Sequence, residues 1–266
     1  MNDKITITTL QRMKAEGRRI AAVTAYDAGF ARLCEEAGAD LLLVGDSLGM
    51  VVQGHESTLP VTVEEMVYHT AMVKRGSRRA FIVADMPFMS HATPARALDA
   101  AGRLMKEGGA HMVKIEGGEP QVETVRHLTR RAVPVCGHLG LLPQSIHQLG
   151  GYRVQGREPH AAEAILRDAV QLEEAGAQLL VLECVPELLA REVTASLSIP
   201  VIGIGAGPGC DGQVLVLHDL LGITPGGAPS FSRDFMAETG SIQGALRAYV
   251  EAVRSGRFPT SEQSFK

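Results

Sequence analysis

Four acidic residues each stand at the end of a short apolar run: Asp46 in Gly45-Asp46-Ser47, Asp85 after Phe81 to Ala84, Glu116 in Ile115-Glu116-Gly117 and Glu183 in Leu182-Glu183-Cys184. Runs of this length suit strands buried on both faces. If the strands are parallel and close into a barrel, their C-terminal ends share one mouth, where barrel enzymes keep their catalytic groups. Carboxylates converging there call for a compensating cation, because like charges drawn together out of water cannot all stay ionised. No Cys/His cluster accompanies them, so the expected cation is a hard divalent one, Mg²⁺, which takes oxygen ligands and keeps waters that a substrate can replace. Lys114 lies two residues before Glu116 and so on the same face of its strand. It is expected to pair with a carboxylate of the site or of a substrate, the alternative being a structural ion pair. Any one of the acids could equally be a loop cap; it is the set that argues for a site. His138, after Val133 to Cys136 and Gly137, would donate a hydrogen bond in the same pocket or be a satisfied structural histidine. The glycines of Gly203-Ile204-Gly205-Ala206-Gly207 suit a phosphate-binding loop, or a backbone passing close beneath a ligand.

The elements that must position these residues are announced by a repeat. Glu35-Glu36-Ala37-Gly38-Ala39-Asp40 precedes Leu41 to Val44, Lys106-Glu107-Gly108-Gly109-Ala110-His111 precedes Met112-Val113, and Glu173-Glu174-Ala175-Gly176-Ala177-Gln178 precedes Leu179 to Leu182. Each copy reads as the charged end of an amphipathic helix, a glycine cap and a buried strand. Further apolar runs at Ile20 to Val23, Phe81 to Ala84, Val133 to Cys136, Val201 to Ile204 and Val214 to Leu217 bring the candidate strands to eight. Helical patterns lie near 28–37, 63–75, 94–106, 120–131, 161–175 and 186–195. Strands alternating with helices predict an α/β fold, a (β/α)8 TIM-type barrel occupying 1–266 as a single domain, with a short N-terminal capping segment and a C-terminal helix. A doubly wound open sheet is the alternative, although no GxGxxG follows the first strand.

Composition narrows the partners. The 266 residues carry 26 Lys+Arg against 30 Asp+Glu, a net charge of −4, so neither nucleic acid nor an anionic membrane surface is an expected partner. Aromatic residues are 4% with no Trp, which removes base-stacking platforms as a theme and favours a small-molecule ligand. Cys34, Cys136, Cys184 and Cys210 are far apart and sit mostly beside apolar residues, as reduced thiols in a cytoplasmic protein do. The N-terminus lacks a basic leader followed by an apolar run, and no segment reaches the roughly 20 apolar residues of a membrane span.

Longer motifs carry a resemblance. Val44-Gly45-Asp46-Ser47-Leu48-Gly49-Met50, Ser57-Thr58-Leu59-Pro60-Val61-Thr62, Ala84-Asp85-Met86-Pro87 and Met112-Val113-Lys114-Ile115-Glu116-Gly117-Gly118 are similar, in this order, to the ketopantoate hydroxymethyltransferase family. So are Gly137-His138-Leu139-Gly140, Gly150-Gly151-Tyr152 with Val154-Gln155-Gly156-Arg157, the Gly203–Gly207 run with Asp211-Gly212-Gln213, and Phe235-Met236-Ala237-Glu238-Thr239-Gly240. The resemblance implies a (β/α)8 barrel that assembles as a homo-oligomer, a decamer, and uses Mg²⁺. It implies transfer of a one-carbon unit from 5,10-methylenetetrahydrofolate to 3-methyl-2-oxobutanoate. It places Asp46, Asp85 and Glu116 at the metal, directly or through water, and Asp46, Ser47, Asp85 and Lys114 on the 2-oxo acid, with Glu183 accepting the C3 proton. Ser230 stands where relatives commonly carry a basic residue. Two other readings compete. A Mg²⁺-dependent C–C lyase or mutase of the phosphoenolpyruvate mutase and isocitrate lyase kind would need a reactive cysteine on a loop, and none of the four fits well. A non-catalytic 2-oxo acid-binding barrel leaves Glu183 unexplained.

Overall fold

The computed structural model describes residues 4–224 and 226–266. Eight parallel strands close in chain order: β1 Ile20–Thr24, β2 Leu41–Val44, β3 Phe81–Asp85, β4 Met112–Glu116, β5 Val135–Gly140, β6 Leu179–Glu183, β7 Val201–Ile204 and β8 Gly212–Leu215. Pairing of β1 with β8, Ile20 opposite Gly212 through Val23 opposite Leu215, seals the ring and excludes the open sheet.

Two strands are displaced from their expected places. The fifth starts at Val135, because Pro134 has no N–H to give a ladder and Ala132 turns the chain at φ +61°; it then runs on to Gly140, so His138 lies within the strand. The eighth starts at Gly212, where a Cβ would stand 2.4 Å from the Ile20 carbonyl oxygen, so only glycine lets β8 close on β1. Leu217 does not extend it. That residue opens a single helical turn, its N–H held by the Thr24 hydroxyl at 2.9 Å.

Strand alternation sorts the side chains into two cores. Ile20, Ala22, Leu41, Leu43, Phe81, Val83, Met112, Cys136, Val181 and Ile202 fill the barrel interior, while residues such as Leu42, Val44, Ile82, Val113 and Leu182 face the surrounding helices. Helix α1, Ile7–Ala15, closes the bottom: its Leu10 and Met13, with Ile5, join the interior cluster. Ile5 donates its N–H to Arg79 O at 2.8 Å, and Lys14 Nζ reaches Asp211 Oδ2 at 2.8 Å, tying this plug to the entries of β3 and β8. The outer helices start where short polar side chains accept the first free N–H groups: Asp27 from Phe30, Thr62 from Glu65, Thr93 from Arg96 before Pro94, and Ser241 from Gly244 at the C-terminal helix Ile242–Arg254.

The repeated acid-Ala-Gly units have an architectural task of their own. Glu35 Oε2 accepts from the Ser77 hydroxyl and the N–H groups of Arg78, Arg79 and Ala80, all within 3.0 Å. Glu173 Oε1 accepts from Ser198 N, Ser198 Oγ and Ile199 N within 2.9 Å. One copy thus clamps the loop entering β3 and another the loop entering β7. In the third copy Lys106 stands where the others have Glu35 and Glu173, and Glu107 pairs with Arg103 on its own helix.

Candidate active site

Inward parity continues past the hydrophobic layers. Asp85 follows Phe81 and Val83, Lys114 and Glu116 follow Met112, His138 follows Cys136, and Glu183 follows Leu179 and Val181, so all five point into the mouth at the C-terminal end of the barrel. Asp46 lies two residues past the end of β2. Its N–H donates to Asp85 Oδ2 at 3.1 Å, which draws it into the same group. Every candidate named from the sequence, Ser47 included, lines one cavity of about 610 Å³.

The cluster is dry and densely charged. Lys114 Nζ lies 3.2 Å from Asp85 Oδ1, 3.9 Å from Glu116 Oε1 and 3.2 Å from His138 Nδ1. His138 bridges onward, with Nδ1 3.6 Å from Glu116 Oε1 and Nε2 3.2 Å from Glu183 Oε2. Burial pushes the Asp46 carboxyl well above the ordinary range, and the Asp85 and Glu116 charges push it the same way. Asp85 is raised by burial despite Lys114 beside it. Glu116 goes down: burial opposes its charge, but the His138 hydrogen bond, Lys114 and the Gln144 N–H outweigh it. Burial likewise opposes the Lys114 cation, and the three carboxylates overcome it and hold the ammonium more firmly than usual. For His138, burial and Lys114 disfavour the cation, and the flanking Glu116 and Glu183 carboxylates raise its pKa above the ordinary value. His138 Nε2 is buried with Glu183 Oε2 3.2 Å away and makes no well-formed hydrogen bond among the described residues. Glu183 is the most open member, its side chain 14% exposed against 3% for Lys114 and His138.

Three groups at this site escaped the sequence. Gln144, in the loop after β5, donates its backbone N–H to Glu116 Oε2 at 3.0 Å and its Nε2 to Asp46 Oδ2 at 2.8 Å and Met86 O at 2.9 Å. Tyr26 places its hydroxyl 2.8 Å from Ser47 Oγ. Asp219, just past β8, lines the cavity on another side. A buried glutamine in Leu142-Pro143-Gln144-Ser145 looks like any loop residue; only its contacts distinguish it.

The glycine run after β7 is filled from within the chain. Gly205, at φ +60°, has Phe231 and Phe265 packed where its side chain would be, and Gly207, at φ +74°, has Glu187. Both positions are occupied by apolar atoms, the rings at Gly205 and the Glu187 methylenes at Gly207, which fits the second expectation, close passage of the backbone beneath other groups. The four cysteines are buried, and burial pushes the Cys34, Cys136 and Cys210 thiols up to about 12 and raises Cys184 as well. None has the surroundings of the reactive loop cysteine that the lyase reading needs.

A model of the ketopantoate hydroxymethyltransferase family matches residues 4–261. The 3-methyl-2-oxobutanoate hydroxymethyltransferase of Nitrosococcus oceani is 60% identical over 262 residues, 98% of this chain and 99% of its own. The enzyme of that name from Halorhodospira halophila is 60% identical over 98% of this chain and 95% of its own. Among solved structures, 2,3-dimethylmalate lyase superposes with a TM-score of 0.59 at 20% identity, covering 79% of this chain and 80% of the lyase. Phosphonopyruvate hydrolase with oxalate and Mg²⁺ gives 0.60 at 13% identity, over 79% and 80%. At such identities these structures speak for the barrel alone.

Proposed function

The chain belongs to the ketopantoate hydroxymethyltransferase family, and from that premise we propose how its mouth divides the work of moving a hydroxymethyl group onto 3-methyl-2-oxobutanoate to give ketopantoate. The oxygen-rich cluster fits a divalent metal. Asp85 Oδ1 is buried and, beyond the Lys114 ammonium at 3.2 Å, accepts no well-formed hydrogen bond among the described residues. Mg²⁺ uses one or two carboxylates and completes its shell with water and substrate oxygens. Asp46 and Asp85 would hold it directly, and Glu116 directly or through water. Bound there, Mg²⁺ would polarise the keto group of the substrate and offset negative charge gained by its oxygen.

Lys114 and Ser47 meet the 2-oxo acid carboxylate, Lys114 as a fixed cation and Ser47 through a hydroxyl steadied by Tyr26. Glu183 removes the C3 proton, and His138, with Nε2 3.2 Å away, flanks its carboxylate. The C3 electron pair then forms the new carbon–carbon bond to the methylene carbon of 5,10-methylenetetrahydrofolate. The bonds from that carbon to N10 and N5 of the folate break in turn, water supplies the hydroxyl, the two nitrogens take up the C3 proton and a proton of the water, and tetrahydrofolate leaves. A homodecamer in the cytoplasm is part of the same reading.

One observation carries the assignment of the base: Glu183 is the most exposed of the clustered acids, its side chain 14% exposed, while Asp46, Asp85 and Glu116 are committed to one another, to Lys114 and to Gln144. The test is exchange of the C3 proton into deuterated water with Mg²⁺ and no folate. Wild type is expected to exchange, and Glu183→Gln, which keeps shape but not basicity, to exchange about 10²–10⁴ times more slowly. Normal exchange by the variant with product formation lost would move Glu183 to the folate step.

A further inference from the structure

One arc of the mouth carries groups that the 2-oxo acid chemistry leaves unused. The cluster described above occupies β2 to β6, whereas Asp219 follows β8, which in the closed ring stands opposite β4. Asp219 is 4% exposed and lines the cavity. Its Oδ1 accepts the Thr224 hydroxyl, and its Oδ2 has no donor among the described residues. A carboxylate that is buried, anchored through one oxygen and free at the other is a recognition element awaiting a donor. On the neighbouring side, above β7, Phe231 and Phe265 meet edge to face, centroids 6.3 Å apart and planes at 74°, and both line the same cavity. Gly205 leaves them room: a Cβ there would lie 2.9 Å from Phe231 and 3.2 Å from Phe265. The cavity of about 610 Å³ falls in the range that encloses drug-sized ligands, more than a five-carbon acid fills.

We propose that Asp219, Phe231 and Phe265 form the subsite for the pteridine ring of the one-carbon donor. The phenylalanines supply an aromatic wall for the flat heterocycle, and the Asp219 carboxylate takes the adjacent ring N–H and amino donors of its 2-amino-4-oxo edge. The inference deepens the reading that a reduced folate is the donor, and rests on it. The ring order gives the subsite its sense: the 2-oxo acid over β2 to β5 and the pteridine over β7 and β8 face each other, with Glu183 on β6 between them.

Calorimetric titration with tetrahydrofolate and with its 2-desamino analogue tests the subsite without turnover. Wild type is expected to prefer tetrahydrofolate by about tenfold or more, as a hydrogen bond to a charged group provides. Asp219→Asn keeps an acceptor for Thr224 but loses the charge and is expected to lose most of that preference, whereas Phe231→Leu weakens both ligands alike. Equal wild-type affinity for the two ligands overturns the subsite, as does an undiminished preference in Asp219→Asn; the wild-type comparison decides alone if the variant does not fold. Absence of any tetrahydrofolate binding by wild type, with C3 exchange intact, overturns the donor reading itself.

Discussion

Gln144 steadies two of the three clustered carboxylates. By donating to Asp46 Oδ2 through Nε2 and to Glu116 Oε2 through its backbone, it turns the opposite oxygens of both residues away from itself and fixes which remain free. Groups that orient metal ligands from behind typically govern ten- to hundredfold in affinity. Gln144→Met, which retains the backbone donor and much of the volume, is therefore expected to weaken Mg²⁺ binding by about ten- to hundredfold in a calorimetric titration; unchanged affinity would show that Asp46 needs no such support. The acids and Lys114 were legible in the sequence because strand ends are marked by apolar runs and a period of two fixes direction. Gln144 and Asp219 were not, since both lie on loops whose path depends on the completed barrel.

Elements tell a similar story with one reversal. The acid-Ala-Gly repeats announced β2, β4 and β6, but the runs before β5 and within β8 misled, because hydrophobicity does not record a missing proline N–H or a glycine demanded by a neighbouring strand. The helix in the N-terminal segment was not legible, for Ile7–Ala15 is mostly polar and buries chiefly Leu10 and Met13. Those two side chains, with Ile5, shut the apolar interior from solvent at the end opposite the catalytic mouth. Leu10→Ala is expected to cost about 2–5 kcal/mol in denaturant unfolding, the range for a fully buried leucine. A cost under about 1 kcal/mol would mean that α1 merely rests on a barrel already closed.

For the whole molecule, two acid-sensitive ties lie outside the mouth, His111 and Glu35. Burial, reinforced by the Lys74 and Lys4 charges, brings the His111 pKa from 6.5 down to about 4, and its Nδ1 accepts the Ile82 N–H at 3.1 Å. The folded state therefore holds a neutral ring. Its contribution is complete above pH 6.5 and is lost as the pH falls from there through about 4, since the unfolded chain takes up the proton first. Thermal midpoints measured along that interval are expected to fall for wild type and to fall less for His111→Asn, whose amide oxygen can accept from Ile82 without titrating; matching acid limbs would exclude His111 as the cause. Glu35 adds a second acid-sensitive tie. Burial raises its carboxyl, but the Ser77 hydroxyl and the N–H groups of residues 78–80 outweigh that and hold it below the ordinary range. Its counterpart Glu173 grips residues 198 and 199 at the entrance of β7, directly across the ring from β3. Both clamps hold mainly main-chain amides, so the bonds themselves survive any change at residue 78 except to proline; Arg79 also ties Ala39 O and Ile199 is packed in the core, so drift is freest at 78, while the two glutamates, whose reach sets the bond, must stay as they are.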